Sequence, residues 1–226
     1  MTVADHLLAG LLTLVCGAQL LLRIDPAAHS RATLYRAALV SGFLFGLAPL
    51  LVWAAAGRPL RDFGLAGWLG DPGRLLAFAL PWALLLALAG RLAVRAPLRR
   101  PLAGLYRRLD YLMPRTRREL RTSWIVSAVA GCGEEIAFRG FLLWYGVLLL
   151  GPAGGLAASS LLFAAAHGYQ GRLGMIFAAL AGLLLGLAYL ASASLVLAMG
   201  LHATYNMASF ALGRRLLAGE VEAAPL

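Results

Sequence analysis

The sequence predicts an all-α fold, a polytopic transmembrane helical bundle of about seven spans. Of the 226 residues, 61% are hydrophobic and 13% are charged, whereas a soluble domain is about half apolar and a quarter charged. This composition excludes a water-soluble globule. The formal net charge is +10 and all 20 basic residues are arginines. They fall between apolar runs, which is typical of membrane topology signals rather than of a nucleic-acid interface.

The spans follow from the lengths of the apolar runs. A helix needs roughly 20 mostly apolar residues to cross about 30 Å of hydrocarbon. The first run lacks the basic start and the cleavage site of a signal peptide, so we interpret it as a retained helix. Six or eight spans are also compatible with the pattern. The seven spans that we predict are residues 6–22, 34–56, 75–94, 123–150, 154–170, 173–190 and 193–213.

The arginines support this span map, because basic residues concentrate in short cytoplasmic loops. The loop at 91–121 alone has ten arginines against two acids. The alternation predicts an N-terminus outside and a C-terminus in the cytoplasm. Arginine-only basic usage with Ala, Leu and Gly richness is typical of a bacterial inner-membrane protein. The connections that are basic are 23–36, 91–121, the turn at Arg172 and the pair Arg214 and Arg215.

We divide the chain into three regions. Residues 1–121 hold the N-terminal transmembrane helices and a basic cytoplasmic loop, 122–213 hold the core with most of the buried polar groups, and 214–226 form a tail. Within the loop, Leu102 to Met113 spaces leucines and tyrosines at helical intervals with arginines between them. This pattern is typical of an amphipathic helix on an anionic leaflet. It predicts the lipid bilayer as a partner, and no nucleic acid.

Three charged side chains lie in one six-residue stretch inside the fourth predicted span: Glu134, Glu135 and Arg139. A charge near the bilayer centre costs roughly 2.5–3.5 kcal/mol on insertion scales, so the cluster predicts a function. Glu135 and Arg139 are spaced i and i+4 and can form an ion pair on one helix face. Glu134 points about 100° away on the helix. It is therefore free to act as a general base.

Two later spans each present an i, i+4 pair: Phe163 with His167, and His202 with Asn206. The histidines and the asparagine are nearly all the strongly polar side chains of these spans. Membrane helices with few polar groups pack those groups against one another. We therefore expect one shared site with Glu134, and we expect Phe163 to serve in packing.

These motifs, in this order on successive apolar spans, resemble the family of CAAX prenyl proteases and bacteriocin-processing proteins. That family comprises intramembrane glutamic endopeptidases and includes the Rce1-like enzymes. The resemblance covers roughly residues 118–213. The motifs that carry it are Glu134-Glu135-x-x-x-Arg139, Phe163-x-x-x-His167 and His202-x-x-x-Asn206.

The resemblance implies a reaction and a role for each residue. Glu134 and His167 would activate water for attack on a peptide bond. His202 and Asn206 would stabilise the oxyanion, which suits their hydrogen-bond donors. Glu135 and Arg139 would support the site. The implied enzyme acts on a peptide or a membrane protein and uses no cofactor and no metal.

The residues alone leave other functions open. One Glu and two His are competent zinc ligands, so a metal site is an alternative. A non-catalytic scaffold or immunity-type protein could use the same polar cluster for helix packing, and a proton-coupled transporter could use the buried carboxylate. The chain lacks the His-Glu-x-x-His, Gly-x-Ser-Gly and Gly-x-Gly-Asp motifs of other intramembrane proteases. The sequence indicates neither the substrate nor the oligomeric state.

Overall fold

The computed structural model describes residues 1–21, 25, 28–65 and 72–221, and the helices account for most of them. Short 3₁₀ turns lie at Leu60–Phe63 and Gly168–Gln170, and a π-helical segment lies at Ile136–Leu142. The all-α prediction is confirmed. The α-helices are α1 (Val3–Gln19), α2 (Arg31–Ala55), α3 (Pro72–Ala93), α4 (Ala96–Arg107), α5 (Arg117–Glu135), α6 (Leu143–Ala166), α7 (Gly171–Ser192) and α8 (Leu195–Val221).

The fourth and fifth predicted spans are joined by a sharp turn inside α6. Gly151 has φ 73° and ψ 174°, a non-helical conformation that glycine adopts easily, and Pro152 follows it. Together, α5, the π-helical segment and the start of α6 form one rod, and the rest of α6 returns beside it. Within the described residues, five helical stretches, one of them Arg117–Ala166, are long and apolar enough to cross a membrane. With α6 divided at Gly151 and the shorter α1 included, seven long segments follow the predicted order.

Several helix ends meet at what we call the basic end of the bundle. Arg31, at the start of α2, donates from Nη2 to the carbonyl oxygen of Asp110 at 3.3 Å. Tyr106 of α4 packs against Gly213 of α8. The backbone of Gln19, where α1 ends, lies against Gly168 after α6. The basic connections of the sequence therefore share one end of the molecule, as the alternation of loops requires.

The opposite end is held by an ion pair and by a backbone contact. Asp5 of α1 is fully buried and accepts hydrogen bonds from the guanidinium of Arg58, which follows α2. The same guanidinium lies 4.5 Å above the ring of Trp144 in α6. The N–H of Leu195 donates to the carbonyl of Gly64 at 3.0 Å. This end thus ties the starts of α1 and α8 to the segment that follows α2.

Some sequence predictions concern residues outside this description or extend differently. Arg23, part of the basic connection 23–36, lies outside the described residues, as does the tail from 222 to 226. The last helix, α8, continues past Gly213 to Val221, so the part of the predicted tail that is described is helical. The extension is amphipathic in its contacts, since Leu216 is buried and Arg215 is exposed.

The glycines of α5 bring three helices into close contact. A Cβ on Gly133 would overlap the carbonyl oxygen of Gly42 in α2. A Cβ on Gly131 would approach the backbone of Ala203 in α8 at 3.0 Å. Small residues at such crossings let helix backbones approach closely within a membrane. As a result, Glu134 lies on a helix wedged between α2 and α8.

This packing predicts that Gly133→Ala destabilises the protein. The added methyl overlaps backbone atoms that cannot rotate away, and overpacking of this kind costs about 1–3 kcal/mol. Gly10→Ala is the matched control, because nothing lies within 4 Å of a Cβ at Gly10. Thermal unfolding in detergent should show a lower Tm for Gly133→Ala only. Equal Tm values for the two variants would contradict the close crossing.

Candidate functional site

The site is built around a buried ion pair. Glu135 is the last residue of α5, and Arg139 lies in the π-helical segment that follows. The Arg139 Nη1 donates to Glu135 Oε1 at 2.7 Å, and both side chains are buried to 99% or more. The other guanidinium nitrogen, Nη2, donates to the carbonyl oxygen of Gly182 in α7 at 3.2 Å. The predicted i, i+4 pair therefore forms, and it also anchors α7.

Glu135 also holds a histidine of the third motif. The Nδ1 of His202 lies 2.7 Å from Glu135 Oε1. An ionised carboxylate only accepts hydrogen bonds, so the proton of this bond belongs to Nδ1. The ring is thereby fixed with its Nε2 facing Glu134, and the distance from Nε2 to Glu134 Oε2 is 3.7 Å. Glu135 is thus an orienting group for His202 as well as the partner of Arg139.

His167 approaches Glu134 from α6 in a matching way. The Nδ1 of His167 lies 2.8 Å from the carbonyl oxygen of Phe163, one turn earlier. A carbonyl oxygen can only accept, so Nδ1 carries the proton and the neutral ring has its lone pair on Nε2. That Nε2 lies 3.9 Å from Glu134 Oε2. The fixed tautomer therefore directs an acceptor nitrogen toward the carboxylate.

Glu134 stands between the two imidazoles with one oxygen unsatisfied. Its Oε2 is buried and has no hydrogen-bond partner within the described part of the chain. The separations of 3.7 and 3.9 Å to the two Nε2 atoms exceed a direct hydrogen bond. The Glu134 side chain is 21% exposed and lines a cavity, so a water in that cavity can approach its carboxylate. The arrangement can therefore hold a water against a carboxylate and an imidazole.

A cavity of about 240 Å³ leads from Glu134 and His167 toward the basic end. Asn206, one turn along α8 from His202, lines it together with Glu134. Glu134 is the charged member of the lining, which otherwise consists of neutral polar and apolar side chains. Burial raises the pKa of Tyr106 to about 12, so this lining hydroxyl stays neutral. The aromatic and small polar side chains of the lining include Tyr35, Tyr106, Tyr169, Tyr205 and Ser209.

Phe163 is the packing residue at the centre of the cluster. Its ring lies 4.4 Å from the guanidinium carbon of Arg139 and has centroid distances of 4.5 Å to His167 and 5.6 Å to His202. The side chain is 2% exposed. Phe163 therefore packs against the guanidinium of the ion pair and against both imidazoles.

The structure brings all seven predicted residues into one cluster. Glu134, His167 and Asn206 line the cavity, while His202 joins it through Glu134 and Glu135. The remaining three, Glu135, Arg139 and Phe163, form the buried support. Their assigned catalytic and supporting roles stay predictions, since proximity alone does not establish a reaction.

Sequence reasoning missed two further contributors. Ser159 Oγ donates to the carbonyl oxygen of Phe138 at 2.7 Å, which satisfies a backbone group of the π-helical segment. Tyr169 stacks on His167 with a centroid distance of 6.0 Å. Ser159 lies one turn before Phe163 in an apolar span, and Tyr169 lies two residues after His167. Their closeness to the Phe163 and His167 motif is the sequence signal that could have indicated that both residues belong to the site.

Among the residues that the structure describes, no group of three or more His, Cys, Asp or Glu side chains is arranged to hold a metal ion. In the cluster of Glu134 with the two histidines, the carboxylate lies 3.7 and 3.9 Å from the nearest imidazole nitrogens, which is longer than a hydrogen bond.

The site defines a class of protein: a bundle of apolar helices with carboxylates and imidazoles gathered inside it. Residues 117–208 match the family model described as type II CAAX prenyl endopeptidase Rce1-like. The resemblance indicated by the three motifs is confirmed, and this part of the chain is similar to the Rce1-like family. The family is one of membrane endopeptidases, so the match supports a CAAX protease-type function. No curated protein and no solved structure matches the chain.

The buried support makes a prediction about stability. Glu135→Leu and Arg139→Met should each destabilise the protein by about 3–5 kcal/mol, because each leaves a buried charge unpaired. The double variant should lose clearly less than the two single losses combined. Chemical or thermal unfolding in detergent measures the three values.

The exposed pair of Arg61 and Asp62 is the matched control, with side chains 78% and 56% exposed and an N to O distance of 3.7 Å. Replacing either residue should cost about 1 kcal/mol or less. Additive losses at Glu135 and Arg139 would contradict the coupling of the buried pair.

Proposed function

We propose that this protein is an intramembrane endopeptidase that hydrolyses a peptide bond with water activated by Glu134 and His167. The observation that carries the proposal is the unsatisfied, buried Oε2 of Glu134, which faces the Nε2 atoms of both histidines beside the cavity. Glu135 also has an unsatisfied Oε2, but its carboxylate is held by Arg139 and His202 through Oε1, whereas the Glu134 carboxylate lines the cavity. A carboxylate that binds a water during turnover needs the vacancy.

In the first step, a water in the cavity is held by the Glu134 carboxylate and by His167 Nε2. Both groups accept hydrogen bonds, so they orient the water with a lone pair toward the substrate carbonyl carbon. Glu134 takes one proton as the water oxygen bonds to that carbon, and the carbonyl π electrons move to the oxygen. General-base assistance of this kind contributes about 10²- to 10⁴-fold to the rate.

His202 and Asn206 then stabilise the oxyanion. Because the Nδ1 proton of His202 is committed to Glu135, only Nε2 remains to donate toward substrate. Donation from Nε2 requires a proton on that nitrogen as well as on Nδ1. The Asn206 amide supplies a second donor.

Collapse of the tetrahedral intermediate completes the reaction. Glu134 returns its proton to the leaving amine nitrogen, the C–N bond breaks, and the products are a carboxylic acid and an amine. Glu134 is again a carboxylate, so the residue acts first as base and then as acid. No cofactor and no metal takes part in this scheme.

The substrate that we propose is a peptide or a segment of a membrane protein that enters from the basic end. The cavity of about 240 Å³ accommodates a few side chains, and its lining of leucines and tyrosines suits apolar residues next to the scissile bond. We propose that the basic end faces the cytoplasm, in a bacterial inner membrane, with the N-terminus outside.

A transporter fits the structure less well. A transported proton or ion needs access from both ends, but an apolar core that includes Phe63, Phe138 and Phe141 lies between the site and the opposite end. A measurement of peptide cleavage distinguishes a non-catalytic scaffold from a protease.

The central variant is Glu134→Gln, which keeps the size of the side chain and removes the base. Cleavage of a quenched fluorescent peptide library by the purified protein should fall by at least about 10²-fold. The library should contain peptides with and without a prenylated C-terminal cysteine. A chelator should leave the wild-type rate unchanged.

Asp62→Asn is the matched control, an exposed acid at the opposite end that should keep full activity. Unchanged cleavage by Glu134→Gln would overturn Glu134 as the base. Loss of wild-type activity on chelation would replace the water-activation scheme with a metal site.

Asn206→Ala tests the oxyanion assignment. A donor used only in the transition state lowers kcat and leaves KM nearly unchanged, and the expected loss is about 10²- to 10³-fold. Thr204→Ala on the same helix is the control, because Thr204 bonds to the Gly200 carbonyl and to Trp82. A raised KM with unchanged kcat would instead make Asn206 a substrate-binding residue.

A further inference from the structure

The segment 96–113, which we call the cover, closes the cavity at the basic end. It consists of α4 and the turns that follow it. Its inner face supplies Leu105, Tyr106, Leu109 and Leu112 to the cavity lining. The position of the cover therefore determines the shape of the cavity beside Glu134.

The cover is attached by contacts with the ends of two spans. The hydroxyl of Tyr35 in α2 donates to the carbonyl oxygen of Leu112 at 2.8 Å. The Arg31 guanidinium donates to the carbonyl oxygen of Asp110 at 3.3 Å. Tyr106 packs against Gly213 of α8. All of these contacts involve the inner side of the cover, so its outer side faces away from the bundle.

The outer side is strongly basic. Arg95, just before α4, and Arg100 and Arg108 within the cover are exposed. Residues 91–121 contain ten arginines and two acids. Those acids are already engaged, since Asp110 pairs with Arg115 and Glu119 pairs with Arg31. The surface therefore has a large excess of positive charge.

The cover connects the ends of two apolar helices, α3 and α5, where a bilayer would have its headgroups. Two residues separate the end of α3 at Ala93 from the start of α4 at Ala96, and α5 begins at Arg117. α4 has 12 residues, about 18 Å of helix, which is too short to cross a bilayer. Leu98 and Val94 beside the arginines are each 44% exposed. Exposed apolar side chains among arginines at the end of a span fit a membrane surface better than an acidic peptide.

We propose that the outer side of the cover binds anionic lipid headgroups, and that this binding holds its inner face against the cavity. Arginines near an anionic leaflet are attracted to it, and the attraction adds up over neighbouring side chains. The bilayer then acts as the outer support of the cavity lining. The proposal concerns the cavity and the lipid, and it does not depend on whether the site cleaves peptides.

Hydrogen exchange of the full-length protein in nanodiscs tests this proposal without any substrate. One set of discs contains phosphatidylcholine only, and the other contains phosphatidylglycerol mixed with phosphatidylcholine. The amides of 96–113 should exchange at least about fivefold more slowly in the anionic discs, in line with the strength of an arginine at such a surface. The double variant Arg100→Gln, Arg108→Gln should lose most of this protection.

The control is Arg36→Gln, Arg215→Gln, which removes two exposed arginines of the basic end outside the cover. This control should keep the lipid-dependent protection. Equal exchange of the wild type in both kinds of disc would overturn the proposal. If both double variants lost the lipid-dependent protection equally, the protection would come from general attraction of the basic end to the anionic lipid. That result would overturn the role of the cover. Protection by an added polyglutamate peptide in phosphatidylcholine discs, without protection by phosphatidylglycerol, would assign the surface to an acidic peptide.

Discussion

The carboxylate of Glu135 is the group on which the rest of the site depends. One of its oxygens accepts from both Arg139 and His202 at 2.7 Å. Through Arg139 it reaches the backbone of α7, and through His202 it fixes α8. A fully buried carboxylate that had lost one of these partners would be strongly unfavourable. The ion pair therefore fixes the helices and orients the imidazole in the same set of bonds.

That arrangement requires an irregular helix and close helix crossings. The π-helical segment Ile136–Leu142 begins directly after Glu135, and such segments occur often at functional sites. The hydroxyl of Ser159 donates a hydrogen bond to the carbonyl oxygen of Phe138 in this segment. The glycines on either side of Cys132 bring α2 and α8 against α5. Near the position where Glu134 meets the two histidines, the helix therefore has irregular backbone hydrogen bonds, and glycines replace larger residues at the helix crossings.

Sequence patterns predicted the parts of this structure that depend on local spacing. The apolar runs predicted the helices, and the i, i+4 spacing predicted the pair of Glu135 and Arg139. The scarcity of other polar groups predicted that the three motifs meet. The sequence did not predict that His202 bonds to Glu135, because that contact depends on how α5 and α8 cross. It also did not predict that the basic loop lines the cavity, since an amphipathic pattern specifies a face but not its partner.

The central claim is that Glu134 activates water and does not itself attack the substrate. A single turnover in H₂¹⁸O, with any peptide that the protein cleaves, tests this claim directly when product and protein are both analysed by mass spectrometry. The account predicts one ¹⁸O atom in the new carboxyl group of the product and none in Glu134. An ¹⁸O atom in the Glu134 carboxylate would indicate an acyl-enzyme intermediate on that residue and would contradict the account.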